Sequence, residues 1–325
     1  MILILFTGVE SFSFSLLIID SQAADPYIPV RDSLLAELER KGFSEGGILD
    51  ISLWSLANQE GLAKRAWLTE KDKDYDLIFI NGTVAAAQFS SFALNNFRYK
   101  FLFGAVTDPV SLNLIKDFSS HPYSNFTGVA YPVQVRERLR FIMAVLPEAK
   151  DIGFIYADMS QSRSYRKWLD EILIEEEFQS LNFHFRTVEF VQSEAGHIRM
   201  AMLSEKYIIE LDPMVDIFLS PNDQMGVQPE YARTIRRLSG KPLIGLGEKD
   251  VMEEWGAVMS IFPDLEQMGV QLAGMAEKLL TGTQIGEIIP QWPETGVAFN
   301  LKEAERLGIT IPEEYLRKAG DKVIR

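Results

Sequence analysis

Short apolar runs alternate with amphipathic helical stretches along almost the whole chain, and this alternation limits the fold more than any single motif does. The runs are LLIIDS (16–21), ILDISLW (48–54), DLIFIN (76–81), KFLFGAV (100–106), FTGVAY (126–131), DIGFIYA (151–157), FHFRTVEF (183–190), VDIFLS (215–220), PLIGLG (242–247) and AVMSI (257–261). A nearly continuous apolar run fits a strand covered on both faces, as in a parallel sheet. Between the runs, Tyr27–Lys41 sets Val30, Leu34, Leu35 and Leu38 on one face and ends at Gly42. Gln134–Leu146 carries Leu139, Ile142, Met143 and Leu146 on one stripe, and Leu265–Leu280 gives a third helix. Such alternation predicts right-handed βαβ units and doubly wound sheets. The units fall into two successive sets, the second opening at Asp151 after Pro147-Glu148-Ala149-Lys150. The expected class is therefore α/β, with two doubly wound parallel-sheet lobes.

A chain of 325 residues has room for two such domains. Its 32 basic and 46 acidic residues give a net charge of −14, which argues against a nucleic-acid partner or an anionic membrane surface. The absence of cysteine excludes disulfides, thiolate zinc sites and Cys nucleophiles. The three histidines, His121, His184 and His197, show no H-E-x-x-H spacing. No phosphate-binding glycine loop and no G-x-S-x-G elbow occurs; GLGEKD at 245–250 lacks the third glycine. The expectation is a binding protein, not an enzyme, without metal or cofactor. No run reaches the ~20 apolar residues that span a bilayer. At the N-terminus no Lys or Arg precedes Arg31, and Leu16–Ser21 reads as a first core strand although Ser21-Gln22-Ala23 has the form of a cleavage site. Residues 1–13 then read as a signal remnant or the product of a misplaced start.

In open α/β sheets, ligands bind beyond the carboxyl ends of the strands. After the first strand come Ser21, Gln22 and, at the next helix, Asp25 and Tyr27; after the third, Gly82 and Thr83; after the fourth, Thr107 and Asp108; after the fifth, Tyr131. In the second set, Asp158, then Asn222 and Asp223, then Glu248 hold the equivalent places. Each has a structural reading as well. Asp108 before Pro109 and Asp25 before Pro26 have the form of a helix N-cap followed by Pro at the first helical position. Thr83 has the form of a cap, and Asn222-Asp223 that of a turn. Taken together they suit a zwitterion, with helix N-termini and threonine hydroxyls for a carboxylate and Asp for an ammonium.

The segments LFGAVTDPVSLNLI and NFTGVAYPVQVRERLRFIMAVLPEAKDIGFIYA, with the tail FNLKEAERLGITIPEEYLRKAGDKVI, resemble the ABC-transporter substrate-binding proteins of the type I periplasmic fold. The narrower resemblance is to the branch that includes tryptophan- and tyrosine-type binding proteins. VDIFLSPND and GMAEKLLTGT also match, so the likeness runs from about residue 14 onward. The chain departs from the family pattern at Asp25-Pro26, where His-Pro is usual, and at Asn222-Asp223, where Asp-Asn or Asp-Ser is common.

The resemblance implies two lobes joined by a three-stranded hinge, with crossings near 131–134, 261–264 and 284–298. The N-terminal lobe would hold 14–132 plus 263–297, and the C-terminal lobe 133–262 plus 298–325. It further implies a small amino-acid-like ligand in an inter-lobe cleft, an ABC permease as membrane partner and a periplasmic or cell-envelope location. Thr107 and Asp108 would line the cleft, with Pro109 starting the helix behind them. The alternative is a ligand-sensing module of a signalling system, built on the same two lobes.

Overall fold

In the computed structural model, which describes residues 13–193 and 195–325 (backbone alone at 160 and 161), β1 (Phe14–Asp20) leads into α1 (Tyr27–Arg40) and β2 (Leu49–Ser55). Then follow α2 (Glu60–Glu70), β3 (Leu77–Asn81), α3 (Thr83–Ala93), β4 (Phe101–Val106) and β5 (Phe126–Ala130). The next stretch holds α4 (Val135–Val145), β6 (Asp151–Ala157), α5 (Ser160–Leu173), β7 (Asn182–Val188), α6 (Gly196–Leu211) and β8 (Ile217–Leu219). It continues with α7 (Pro229–Leu238), β9 (Leu243–Gly245), α8 (Lys249–Met252) and β10 (Met259–Pro263). The chain ends with α9 (Leu265–Leu280), β11 (Thr295–Asn300), α10 (Leu301–Arg306), α11 (Glu313–Ala319) and β12 (Val323–Ile324). The stretch read as a signal remnant lies, but for Ser13, outside the described residues.

Two compact units result, one of residues 1–132 and 264–294, the other of 133–263 and 295–325. The first unit's sheet has the order β2-β1-β3-β4-β5, with every pairing parallel. The second unit's sheet runs β12-β11-β10-β9-β8-β6-β7. Its stretch from β7 to β10 repeats the winding of the first sheet, with β6 in the place of β1. In each sheet the winding direction reverses beside the opening strand, between β1 and β3 or between β6 and β8. Such a reversal leaves a crevice at the strands' carboxyl ends.

The continuous apolar runs have the cause that the sequence suggests. Leu16, Ile18, Leu77, Phe79 and Leu102 pack under α1 and α9, whereas Leu17, Ile19, Ile78, Ile80, Phe101 and Phe103 pack under α2 and α3. Successive strand residues point to opposite faces, so a strand covered on both must be apolar throughout. Each fully buried Leu or Ile contributes roughly 1.5–3 kcal/mol. The second sheet is covered likewise, with Ile152 and Phe154 on one face and Ile155 and Ala157 on the other. Helix α1 buries Val30, Leu34 and Leu38 and packs against α9 at Gly269, where any side chain would strike Ser33. Among the described residues no helix is long and apolar enough to cross a membrane.

Three expectations need correction. Strand β11 pairs antiparallel with β10, from Met259 opposite Phe299 to Pro263 opposite Thr295. Pro263 and residues 295–297 therefore belong to the second unit, not the first, and the second sheet is not wholly parallel. No helix follows Pro109; the chain curls through turns, because Asn113 takes φ +57°, which a right-handed helix cannot continue. Asp25 does not cap α1, whose N-cap is Pro26.

Candidate functional site

The carboxyl-end rim of the first sheet is built on a buried carboxylate that closes β1. Asp20 is 0% exposed. One of its oxygens accepts from Asn81 Nδ2 at 2.8 Å, and the other accepts from Arg31 Nη1 at 2.5 Å. Asn81 donates also to the carbonyl of Tyr27, at 2.8 Å. Burial pushes the Asp20 carboxyl above its usual range, against the pull of Asn81 and Arg31. This knot fixes the segment between β1 and α1 and holds Tyr27 against the end of β3.

Ser21 is wholly buried, and its hydroxyl accepts the amide of Ala85 at 3.0 Å. It thereby ties β1 to the first turn of α3. Gly82 sits between, at φ +106°, where a Cβ would collide with the Tyr27 ring and the Ser21 hydroxyl. Only glycine suits both the conformation and the space. Gln22 is half-buried and accepts from Asn58 Nδ2 at 2.8 Å.

Thr83 is the first residue of α3, not its cap, since Gly82 holds the cap position without a side-chain bond. The Thr83 hydroxyl accepts the amide of Thr107 at 3.0 Å and lies 3.2 Å from the Thr107 hydroxyl. The Ala85 amide is taken by Ser21, but among the described residues the amides of Thr83 and Val84 have no acceptor. Two threonine hydroxyls and two helix amides thus meet at one point of positive helix dipole. Asp108 follows directly. Its Oδ1 accepts the Ser111 amide at 3.0 Å, and no partner of Oδ2 is found among the described residues. Tyr131, half-buried, follows β5, and its amide bonds to the Val106 carbonyl at 2.9 Å.

The second rim is built around Asp223, 5% exposed. Its Oδ2 accepts from the Ala157 amide at 2.8 Å and the Ser162 hydroxyl at 3.0 Å. Its Oδ1 accepts from the amides of Met225 and Gly226, both at 2.9 Å. Burial raises this carboxyl, and the four donors oppose the shift. With both oxygens engaged, Asp223 locks the turn after β8 to β6 and α5. It leaves little to offer a ligand's ammonium, the role that the sequence allowed it. Asp158 is exposed and pairs with Arg163 at 2.5 Å. Asn222 is half-buried in the same turn as Asp223. Glu248, beyond β9, accepts from Lys322 at 2.8 Å.

Of the candidates read from the sequence, Ser21, Tyr27, Thr83, Thr107 and Asp108 gather around the ends of β1, β3 and β4. Two surface hollows lie elsewhere. A groove of ≈ 650 Å³ runs beside α9, lined by Gln271, Lys278 and Glu287 among others. A cleft of ≈ 470 Å³ lies at the amino end of β8, beside Asp216 and Lys241. Neither is lined by any of these candidates. Among the described residues no group of three or more His, Asp or Glu could hold a metal ion.

Sequence reasoning missed Asp20, Arg31 and Asn81 in the first unit, and in the second Asp250, whose buried Oδ2 accepts the amides of Leu246 at 2.6 Å and Gly247 at 3.1 Å. Asp20 ends an apolar run, so a carboxylate breaking the Leu-Leu-Ile-Ile pattern was the one available signal.

Known proteins place this architecture. An L-tryptophan complex of an ABC domain from Streptococcus pneumonia is 22% identical, with a TM-score of 0.69, over 96% of this chain and 100% of that one. A ligand-free, open substrate-binding protein with adhesive properties from Clostridium difficile is 20% identical, with a TM-score of 0.75, over 96% and 98%. An ABC transporter solute-binding protein from Clostridium phytofermentas with bound L-rhamnose is 15% identical, with a TM-score of 0.53, over 84% and 83%. At these identities the likeness speaks to the fold. No curated protein sequence matches the chain. The family model described as ABC transporter substrate binding protein matches residues 24–323, nearly the entire chain, and the protein belongs to that family.

Proposed function

We propose that the protein is the solute-binding component of an ABC uptake system and that it captures a small amino-acid-like ligand. The observation that carries this reading is the cluster at the first rim. The unpartnered amides of Thr83 and Val84, with the Thr83 and Thr107 hydroxyls, suit a carboxylate. Asp108 beside them suits an ammonium, because a buried ammonium without a partner is too costly to bind. Tyr27 and Tyr131, beyond the ends of β1 and β5 in the same unit, offer apolar walls. The L-tryptophan complex of one structural relative supports the class; the L-rhamnose complex of another supports a different one. The partner is an ABC permease, which sets the protein at the cell envelope.

A thermal-shift screen of amino acids, small carboxylates and sugars tests this. A ligand that binds only the folded state stabilises it by RT ln(1 + [L]/Kd), about 2.7 kcal/mol at 100 times Kd. At least one amino acid is expected to raise Tm. A response confined to sugars or polyols would overturn the amino-acid reading while leaving the family untouched.

A further inference from the structure

Strand β4 breaks its own alternation just before it reaches the first rim. Phe101 and Phe103 pack on the face under α2 and α3, and Leu102 packs on the face under α1 and α9. Gly104 keeps the alternation, since a Cβ there would strike Leu272 and Phe79 of the α1/α9 face. An unbroken strand would return Ala105 to the α2/α3 face. Instead Ala105 joins the cluster of Leu102 and Val129, and Val106 takes the α2/α3 face. The pairing with β5 slips at the same place: Phe103 lies opposite Gly128, but Val106 lies opposite Ala130. Gly104 and Ala105 thus face the single Val129, which makes a β-bulge. Ala105 is the residue bent to form it, at φ +52°. Few residues other than glycine enter that left-handed region.

The neighbouring strands cannot absorb the extra residue. On one side β3 keeps β4 in step as far as Asn81 opposite Gly104, and the Gly82 amide donates to the Gly104 carbonyl at 2.8 Å. On the other side β5 is fixed along its far edge. There the Gln291 amide donates to the Gly128 carbonyl at 2.8 Å, and the Gln291 carbonyl accepts the Ala130 amide at 3.0 Å. Gly128 leaves no room for a side chain, which would strike the Phe103 carbonyl. The slack therefore falls on Ala105. Beyond it, the Val106 carbonyl accepts the Tyr131 amide at 2.9 Å, and the Thr107 amide turns to the Thr83 hydroxyl at 3.0 Å. Without the bulge, Val106 would lie opposite Tyr131, and every residue after Gly104 would change faces.

We propose that Ala105 is a positioning residue, whose left-handed bulge delivers Thr107 to Thr83 and sets Asp108 beside them. The claim for this cluster rests on the geometry of the first unit alone; the claim that the cluster holds a ligand rests on the function proposed above. One extra residue exchanges the faces of all that follow, so the bulge acts on Thr107 and Asp108 together. A methyl group suits position 105, where it fills the core beside Val129. A β-branched side chain is an outlier in the left-handed region and would force the bulge out.

Hydrogen exchange followed by NMR on the ligand-free protein tests this. The Thr107 amide is read against the Ile78 amide, which donates to the Lys100 carbonyl at the other end of the same strands. The ratio removes any general loss of stability caused by a larger side chain. In Ala105→Val, Thr107 protection is expected to fall about tenfold relative to Ile78, the loss of one hydrogen bond. In Ala105→Gly, which enters the left-handed region freely, the ratio is expected to hold. An unchanged ratio in Ala105→Val overturns the proposal, as does an equal fall in both variants. If Ala105→Val does not fold, Ala105→Gly carries the test: a fall in its ratio overturns the proposal and a held ratio supports it. Calorimetry with L-tryptophan reads capture. If the parent binds it, affinity is expected to fall at least about tenfold in Ala105→Val and to stay near the parent's in Ala105→Gly. Equal affinity in the two variants overturns the link to capture. A parent that binds no L-tryptophan counts against the amino-acid reading, and the exchange ratio still decides the bulge.

Discussion

Thr107 donates its backbone amide to the side-chain oxygen of Thr83 at 3.0 Å, and this bond joins the ends of β3 and β4 at the mouth of α3. The same hydroxyl belongs to the cluster proposed above to receive a ligand carboxylate. Thr83→Val keeps the shape but leaves the Thr107 amide without an acceptor. The expected cost is about 1–2 kcal/mol in urea unfolding, with weaker binding of any amino acid found by the screen. Thr83→Ser is expected to recover most of both, and equal stability of the Val and Ser variants would contradict the role of the hydroxyl.

Asp108 separates a binding role from a structural one. In Asp108→Asn the side-chain oxygen still accepts from Ser111, so unliganded stability is expected to stay near that of the parent. Removing the charge opposite an ammonium is expected to cost roughly 2–5 kcal/mol of binding, about 30- to several-thousand-fold in Kd. Calorimetry on the purified variant measures it. Unchanged affinity would return Asp108 to the turn that it closes.

Asp223 is expected to behave in the opposite way. Asp223→Asn presents an amide group to donors now satisfied by carboxylate oxygen, so at least one pair among Ala157, Ser162, Met225 and Gly226 loses its acceptor. Each stranded donor costs ~1–3 kcal/mol. Urea unfolding without ligand is the measurement, and a variant as stable as the parent would free Asp223 for a ligand role.

Asp250 gives a pH signature. Its carboxyl is raised from 3.8 to about 6 in the folded protein. Between these values the folded state holds more protons than the unfolded chain, so this group's contribution is full below pH 3.8 and is lost as pH rises through about 6. The size is about 3 kcal/mol, at ~1.4 kcal/mol per pH unit. The stability difference between the parent and Asp250→Asn is expected to change in that window and stay constant above it. Denaturant unfolding at several pH values reads it, and a constant difference throughout would contradict the raised value.

The fold was legible because burial on both faces writes itself into composition: Leu16–Ile19 and Ile78–Ile80 must be apolar at every position. Strand ends were legible too, since Thr83, Thr107 and Asp108 interrupt those runs. What α9 and β11 join was harder, because pairing across long separations leaves no periodicity. The segment after Pro109 misled because Asp-Pro followed by Leu-x-Leu-Ile has a helix's spacing, while one left-handed residue, Asn113, decides the outcome. Asp223 resembled a ligand contact because a sequence does not show donors from β6 and α5 arriving at the same carboxylate. Asp20 with Arg31, and Asp250 with the amides of Leu246 and Gly247, were hidden for the same reason.

The return of the chain through α9 and β11 bears on how the protein is made. Helix α9 supplies Met268, Leu272 and Leu279 to the core under β1 and β3, so the first unit is unfinished until residue 280 has been synthesised. Strand β10 presents a bare edge until β11 follows, more than thirty residues after it. Neither unit is therefore a vectorial domain that closes before the next begins. A chain stopped at Pro263 leaves the ribosome with one core open to water and one sheet edge open to another chain, the condition in which aggregation competes with folding.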